Sequence, residues 1–310
     1  MLIALYSLLP ILLAFAGGLN LKKVVKNIRP STFDIISTLS LYLLLLIMGA
    51  TVGGIPDIKE QLVVAGFNAL TIASGTSLAT FIVLVAVDKL SGEKRPPRTA
   101  PDLRNSRSDI LSILLPTLTQ IITTAGGFIL GFKGLMPDLD ADLIISFLLY
   151  LLIFSVAVKL SYSNISMKRV LLNKANLRLT LITILSSFTG AALASLFIKV
   201  HLHEVLAVGS GFGWYTLSGT LFTKMGNPLL GTVAFLSDLF RGISALVLIP
   251  LISRFGYSNA AIGISGSTAL DVTLPIIEKY CGAAYIPFAL LMGGITTLAV
   301  PFAIPFFYYL

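Results

Sequence analysis

Charge is scarce in this sequence. Asp, Glu, Lys and Arg make up 12% of its 310 residues, about half the share of an ordinary soluble domain. The longest polar stretch runs only from about Asp88 to Asp109, so no separate soluble domain fits. Cysteine is nearly absent: Cys281 alone excludes an intrachain disulfide, a cysteine metal cluster and Cys-x-x-Cys redox chemistry. No Walker A, Rossmann, nucleophile-elbow or zincin motif occurs. Two histidines, His201 and His203, stand beside Glu204 in a short polar turn that reads as solvated. Asp138, Asp140 and Asp142 resemble half of a calcium loop, but no glycine and distal glutamate follow at the required spacing. These absences argue against an enzyme, a resident metal and an organic cofactor.

What the chain has is apolar length. It is 56% hydrophobic with a mean hydropathy of +0.93, and its apolar runs recur at lengths that cross a bilayer core of about 30 Å. Six spans are clear, at about 2–19, 33–52, 62–87, 109–132, 142–160 and 179–199. The first lacks a basic leader and a small-residue cleavage site, so it reads as a retained span. Beyond residue 204 come a glycine-broken stretch at 205–222, a strong span at 228–253, a second broken stretch at 258–277 and a closing span at 283–309. The fold class is therefore an all-α polytopic membrane protein, one transmembrane domain over 1–310. It has eight full spans plus two broken or re-entrant segments, or ten spans as inverted five-plus-five repeats with halves near 1–160 and 179–310.

The net charge of +8 follows the positive-inside rule better than it suggests a nucleic-acid partner. Basic residues cluster at 22–29, 89–107 and 159–178, whereas 53–61 holds only Lys59 and 133–142 pairs Lys133 with three aspartates. That alternation predicts both termini outside and a multi-pass protein of the cytoplasmic membrane.

Chemistry concentrates in the last third. Asp271 lies in the polar stretch Gly263-Ile-Ser-Gly-Ser-Thr-Ala-Leu-Asp-Val-Thr-Leu-Pro275. A carboxylate at membrane depth costs about 2.5–3.5 kcal/mol on insertion scales and is rarely kept without a task. Broken helix at that depth has to line protein or a watery cavity. Ser265, Ser267, Thr268 and Thr273 surround Asp271 with hydroxyls. Asp238 and Arg241, three apart on one predicted helix, share a face and can pair, either as a satisfied ion pair that orders the bundle or as one opened by substrate or proton. The stretch Ser210-Gly211-Phe-Gly-Trp214-Tyr215-Thr-Leu-Ser218-Gly219 supplies small residues and aromatics for an opposite wall, with a cation–π role open to Trp214 or Tyr215.

Those same stretches, with Asn227-Pro228, Ala234-Phe-Leu-Ser-Asp-Leu-Phe-Arg241 and Leu248-Ile-Pro250, resemble the lysine exporter (LysO) family over about 205–305; the N-terminal half resembles it mainly in span pattern. The resemblance implies secondary active export of L-lysine and its analogue thialysine across the cytoplasmic membrane, in exchange for protons. It also implies kinship with the cation/proton antiporter and bile-acid symporter group of elevator-type carriers, for which a homodimer is plausible. It places Asp271 on the family's acidic position and Asp238 and Arg241 on its Asp-Leu-x-Arg; with them, Ser210, Gly211, Trp214, Tyr215, Ser218, Asn227, Ser267, Thr268 and Thr273 are the candidates for substrate or proton binding. Where the family carries a glutamate directly after the arginine, this chain has Gly242. Either Asp238 supplies the second acid, or coupling relies on Asp271 alone.

Two other readings stay open at this level. Asp271 with hydroxyls and carbonyls can ligate Na⁺, as in a sodium-coupled carrier of an organic anion. Asp238 and Asp271 sharing a proton would make an intramembrane aspartyl protease. Against the latter, Asp271 lacks a Gly-x-Gly-Asp context, and Arg241 opposes a shared proton.

Overall fold

The computed structural model describes residues 9–10, 13–21, 30–55, 58–90, 106–135, 141–162, 173–270 and 272–310. Asp271, Asp138, Asp140 and most of the three basic connections lie outside the described residues. Residues 13–21 are helical. The helices that follow are α1 (Pro30–Gly53), α2 (Ile58–Leu90), α3 (Ser106–Phe132), α4 (Ala141–Tyr162), α5 (Lys174–Ala194), α6 (Leu202–Gly209), α7 (Tyr215–Lys224), α8 (Pro228–Arg254), α9 (Ser258–Gly263), α10 (Leu274–Cys281) and α11 (Ile286–Tyr308). Three short 3₁₀ turns, Ser195–Phe197, Gly266–Leu270 and Ala283–Tyr285, join or extend them.

Among the described residues, five helical stretches are long and apolar enough to cross a membrane: Thr32–Gly53, Gln61–Leu90, Lys174–Phe197, Pro228–Arg254 and Ile286–Tyr308. Shorter apolar stretches lie in α3 and α4. The chain is thus an all-α, multi-pass membrane protein. Helix α2 has 33 residues, about 50 Å of rise, and so outruns the hydrocarbon core at one or both ends. Helix α3 is continuous through Pro116 and Gly126-Gly127, so the interruptions seen in this structure fall in the C-terminal half.

Small residues set the packing. Gly49 and Gly53 of α1 meet the backbone of α3 at Thr124 and Phe128, while Gly127 and Gly131 of α3 meet α1 at Leu46 and Ala50. A methyl group at any of these four positions would overlap the facing main chain. Without water to drive apolar surfaces together, close backbone approach is how helices gain contact in lipid. Gly75 of α2 and Gly190 of α5 touch in the same way. The result is two groups of helices: α1, α3 and α4 pack together, and α2, α5, α8 and α11 form the other group around the short helices. Helix α7 lies between them, packed on α8 while also contacting α1 and α4.

The two broken stretches are hairpins, and contacts along α2 and α8 show which way each runs. Asn259 at the start of α9 donates to Asp88 near the C-terminal end of α2 (2.6 Å). Gly263, at the end of α9, faces Leu84 and Thr80. At the far end of α10, Cys281 is back beside Ser258 and near Asp88. So 258–281 starts and finishes at one end of the bundle. The pair α6–α7 does the same from the opposite end. Helix α5 leaves Gly75 behind at Gly190 and delivers the chain to α6, and α7 returns along α8, with Gly219 and Thr223 against Gly231.

Candidate functional site

The turn between α6 and α7 is built by residues with unusual backbone. Phe212 has φ 47°, the one positive φ outside glycine among the described residues, and Gly213 follows at φ 90°. Gly266 opens the 3₁₀ turn of the other hairpin at φ 58°. The two turns touch. Ser267 donates to the Phe212 carbonyl from its backbone N–H and again from its hydroxyl, both at 2.8 Å. A side chain at Gly266 would collide with the same carbonyl. One hairpin tip is therefore tied to the other.

Helix α8 runs past this junction and presents Asp238 and Arg241, which are 3% and 2% exposed. Asp238 Oδ1 accepts the Gly213 N–H at 2.8 Å. Gly211 lies so close that a Cβ there would overlap the carboxylate, and the Ser218 hydroxyl is also beside it. Arg241 donates from Nε to the Ile264 carbonyl (3.1 Å) and from Nη1 to Ser187 Oγ of α5 (2.8 Å). Asp238 and Arg241 are thus electrostatic neighbours and not a bonded bridge, because each group is held by backbone or a hydroxyl of another element.

The junction also holds more polar capacity than the protein satisfies. Asp238 Oδ2, Arg241 Nη2, Ser265 Oγ and Thr273 Oγ1 are buried with no hydrogen-bond partner among the described residues. Leaving such atoms unpaired costs about 1–3 kcal/mol each, more for charged groups. Four of them at one crossing make it the part of the molecule best fitted to take a polar ligand.

The structure distributes the remaining candidates unevenly. Ser267 and Thr268 are at the junction, where Thr268 Oγ1 donates to the Ser265 carbonyl (2.8 Å). Thr273 reaches back, its N–H donating to the Thr268 carbonyl (2.9 Å). Trp214 closes the first turn with its backbone N–H on the Gly211 carbonyl (2.8 Å). Tyr215 begins α7, donates its hydroxyl to Gln120 Oε1 of α3, and stands edge-on to Phe235. Ser210 spends its hydroxyl on Leu206 (2.7 Å) and Ser218 on Tyr215 (3.3 Å). Asn227 stands apart: its side chain caps α8 by accepting the Leu230 N–H at 3.0 Å, about 16 Å along the helix from Asp238. Gly242 faces Thr268 Cγ2, which a Cβ would meet at 3.9 Å. In the polar turn after α5, Glu204 accepts the His201 N–H at 3.3 Å and so caps α6.

Two contributors escaped the sequence reading. Ser187 holds Arg241, and its only signal was the Ser186-Ser187 pair inside an apolar span. Gln120, one of two glutamines in the chain, carried a stronger one: an amide in mid-span needs a partner. A separate cavity of about 470 Å³ opens between α2 and α8, lined by apolar side chains such as Leu70, Phe81 and Leu248. It shares Ile264 with the junction but lacks its charge.

An all-helical multi-pass membrane protein, with charged groups buried where two opposed hairpins cross, is the class this fold and site define. The chain belongs to the lysine exporter LysO family, whose model matches residues 121–308. It is 30% identical over 268 residues to "Lysine exporter LysO" of Escherichia coli, covering 86% of this chain and 87% of that one. It is 43% identical over 161 residues to a Haemophilus influenzae protein named "Putative lysine exporter", covering 52% of this chain and 82% of that one. No solved structure matches the chain.

Proposed function

We propose that this protein is a secondary active exporter of L-lysine, and of close analogues such as thialysine, across the cytoplasmic membrane in exchange for protons. The observation that carries the reading is the crossing of two hairpins from opposite ends around buried, incompletely bonded Asp238 and Arg241. Membership of a family of lysine exporters supplies the substrate. In this reading the chain has eight full spans and two re-entrant hairpins, with both termini outside.

Exporting a cation works against a potential that favours its entry, by about 2.3 kcal/mol per charge per 100 mV. A proton moving inward cancels that charge. Asp271, in the link between the Gly266–Leu270 turn and α10, is the acid that alternates between the proton and the lysine side-chain ammonium. Protonation from outside releases the cation there. The tips part and rejoin as access changes sides, the α2–α5–α8 group moving against α1, α3 and α4. The Tyr215–Gln120 contact lies on that boundary.

Purified protein in proteoliposomes loaded with labelled lysine tests this directly. Efflux should accelerate when the outside is made acid and fall when an ionophore collapses the pH gradient. Efflux that ignores protons and follows a Na⁺ gradient would point to the sodium-coupled reading. Uptake of an organic anion in place of lysine would overturn the substrate.

A further inference from the structure

Asp238 and Arg241 are opposite charges on one face of α8, buried together yet bonded elsewhere. Each is hydrogen-bonded at one end only. The Gly213 N–H pins Asp238 Oδ1, while Oδ2, packed against Gly211, has no hydrogen-bond partner among the described residues. The Ile264 carbonyl and Ser187 hydroxyl pin the guanidinium, while Nη2 has no partner among the described residues. Residues three apart on a helix have Cβ atoms about 5–6 Å apart, close enough for both to address groups carried on one carbon.

We propose that this couple reads the zwitterionic head of a free α-amino acid: Arg241 Nη2 donates to the α-carboxylate and Asp238 Oδ2 accepts from the α-ammonium. The Ser265 and Thr273 hydroxyls, also without a partner among the described residues, supply neutral hydrogen bonds beside them. This deepens the exporter reading and rests on the crossing being the substrate site. The division of labour is specific. The head occupies Asp238 and Arg241, so the side-chain ammonium falls to a different acid. The shortage of a bonded Asp238–Arg241 bridge has a purpose here, since a bridge would have to be broken before the head entered. The site therefore selects free amino acids and rejects amines without a carboxylate and acids without an α-amino group, because each would leave one buried charge unmatched.

The test uses the full-length protein in lipid nanodiscs, with calorimetric binding of three ligands: L-lysine, cadaverine (no carboxylate) and 6-aminohexanoate (no α-amino group). Unaltered protein should bind each analogue at least about tenfold more weakly than lysine. Arg241→Gln should erase the preference over cadaverine, and Asp238→Asn the preference over 6-aminohexanoate. Unaltered protein that binds either analogue as tightly as lysine overturns the proposal without recourse to a variant. So do variants that weaken all three ligands alike. Should lysine fail to bind while another free amino acid exceeds its decarboxylated amine tenfold, the lysine reading falls and the head-group proposal stands. If no amino acid binds, both fall.

Discussion

The Phe212 carbonyl accepts two hydrogen bonds from one residue, Ser267, at 2.8 Å from the amide and 2.8 Å from the hydroxyl. That acceptor belongs to a hairpin entering from one end of the bundle, and its donor to a hairpin entering from the other. Ser267→Ala removes one of the two bonds and keeps the backbone one. A buried hydrogen bond of this kind contributes about 0.5–1.5 kcal/mol net. The variant should therefore fold, melt a few degrees lower in detergent, and exchange the amide hydrogens of both tips faster in hydrogen-exchange mass spectrometry.

Gly211 is the position where adding one carbon should be most damaging. A Cβ there would overlap the Asp238 carboxylate, and overpacking of this kind costs about 1–3 kcal/mol. Gly211→Ala should lose lysine transport. Gly126→Ala, where an added Cβ meets nothing within 4 Å, should keep it. Efflux and melting temperature measured side by side on the two proteins check the contrast.

Tyr215 and Gln120 join α7 to the other helix group. A double-mutant cycle with Tyr215→Phe and Gln120→Leu should give a coupling energy of about 0.5–1.5 kcal/mol in the stability of the state with tips joined. Additive effects would mean the contact does not tie the groups.

Asn227 belongs to a different category from its sequence neighbours. As the cap of α8, its replacement by alanine should cost about 0.5–2 kcal/mol of stability and leave the KM for lysine unchanged. A selective rise in KM would return it to the substrate site.

Much of this was legible in the sequence because glycine and charge are conspicuous in an apolar chain. The stretches around Gly209–Gly213 and Gly263–Gly266 announce broken helices, and Asp238 with Arg241 announces a buried polar site. Asn227-Pro228 carries a capping signature that its place in a family-like motif obscured. What stayed hidden is tertiary. An apolar stretch of some twenty residues reads alike whether it crosses a membrane or turns back halfway. Tertiary contacts such as Cys281 beside Ser258, Asn259 on Asp88 and Gly219 on Gly231 show the turning back. Spacing on α8 suggested that Asp238 and Arg241 bond each other. It had no way to register that Gly213 and Ser187, from two other elements, compete for them.

The proposed exchange of protons for lysine rests on one acid, Asp271, between the Gly266–Leu270 turn and α10. Asp271→Asn removes its charge with little change in volume. Efflux of labelled L-lysine from proteoliposomes is measured under an imposed pH gradient that is acid outside. The variant should lose proton-driven efflux while the protein remains folded and monodisperse. Efflux at the unaltered rate, still accelerated by external acid, would contradict it.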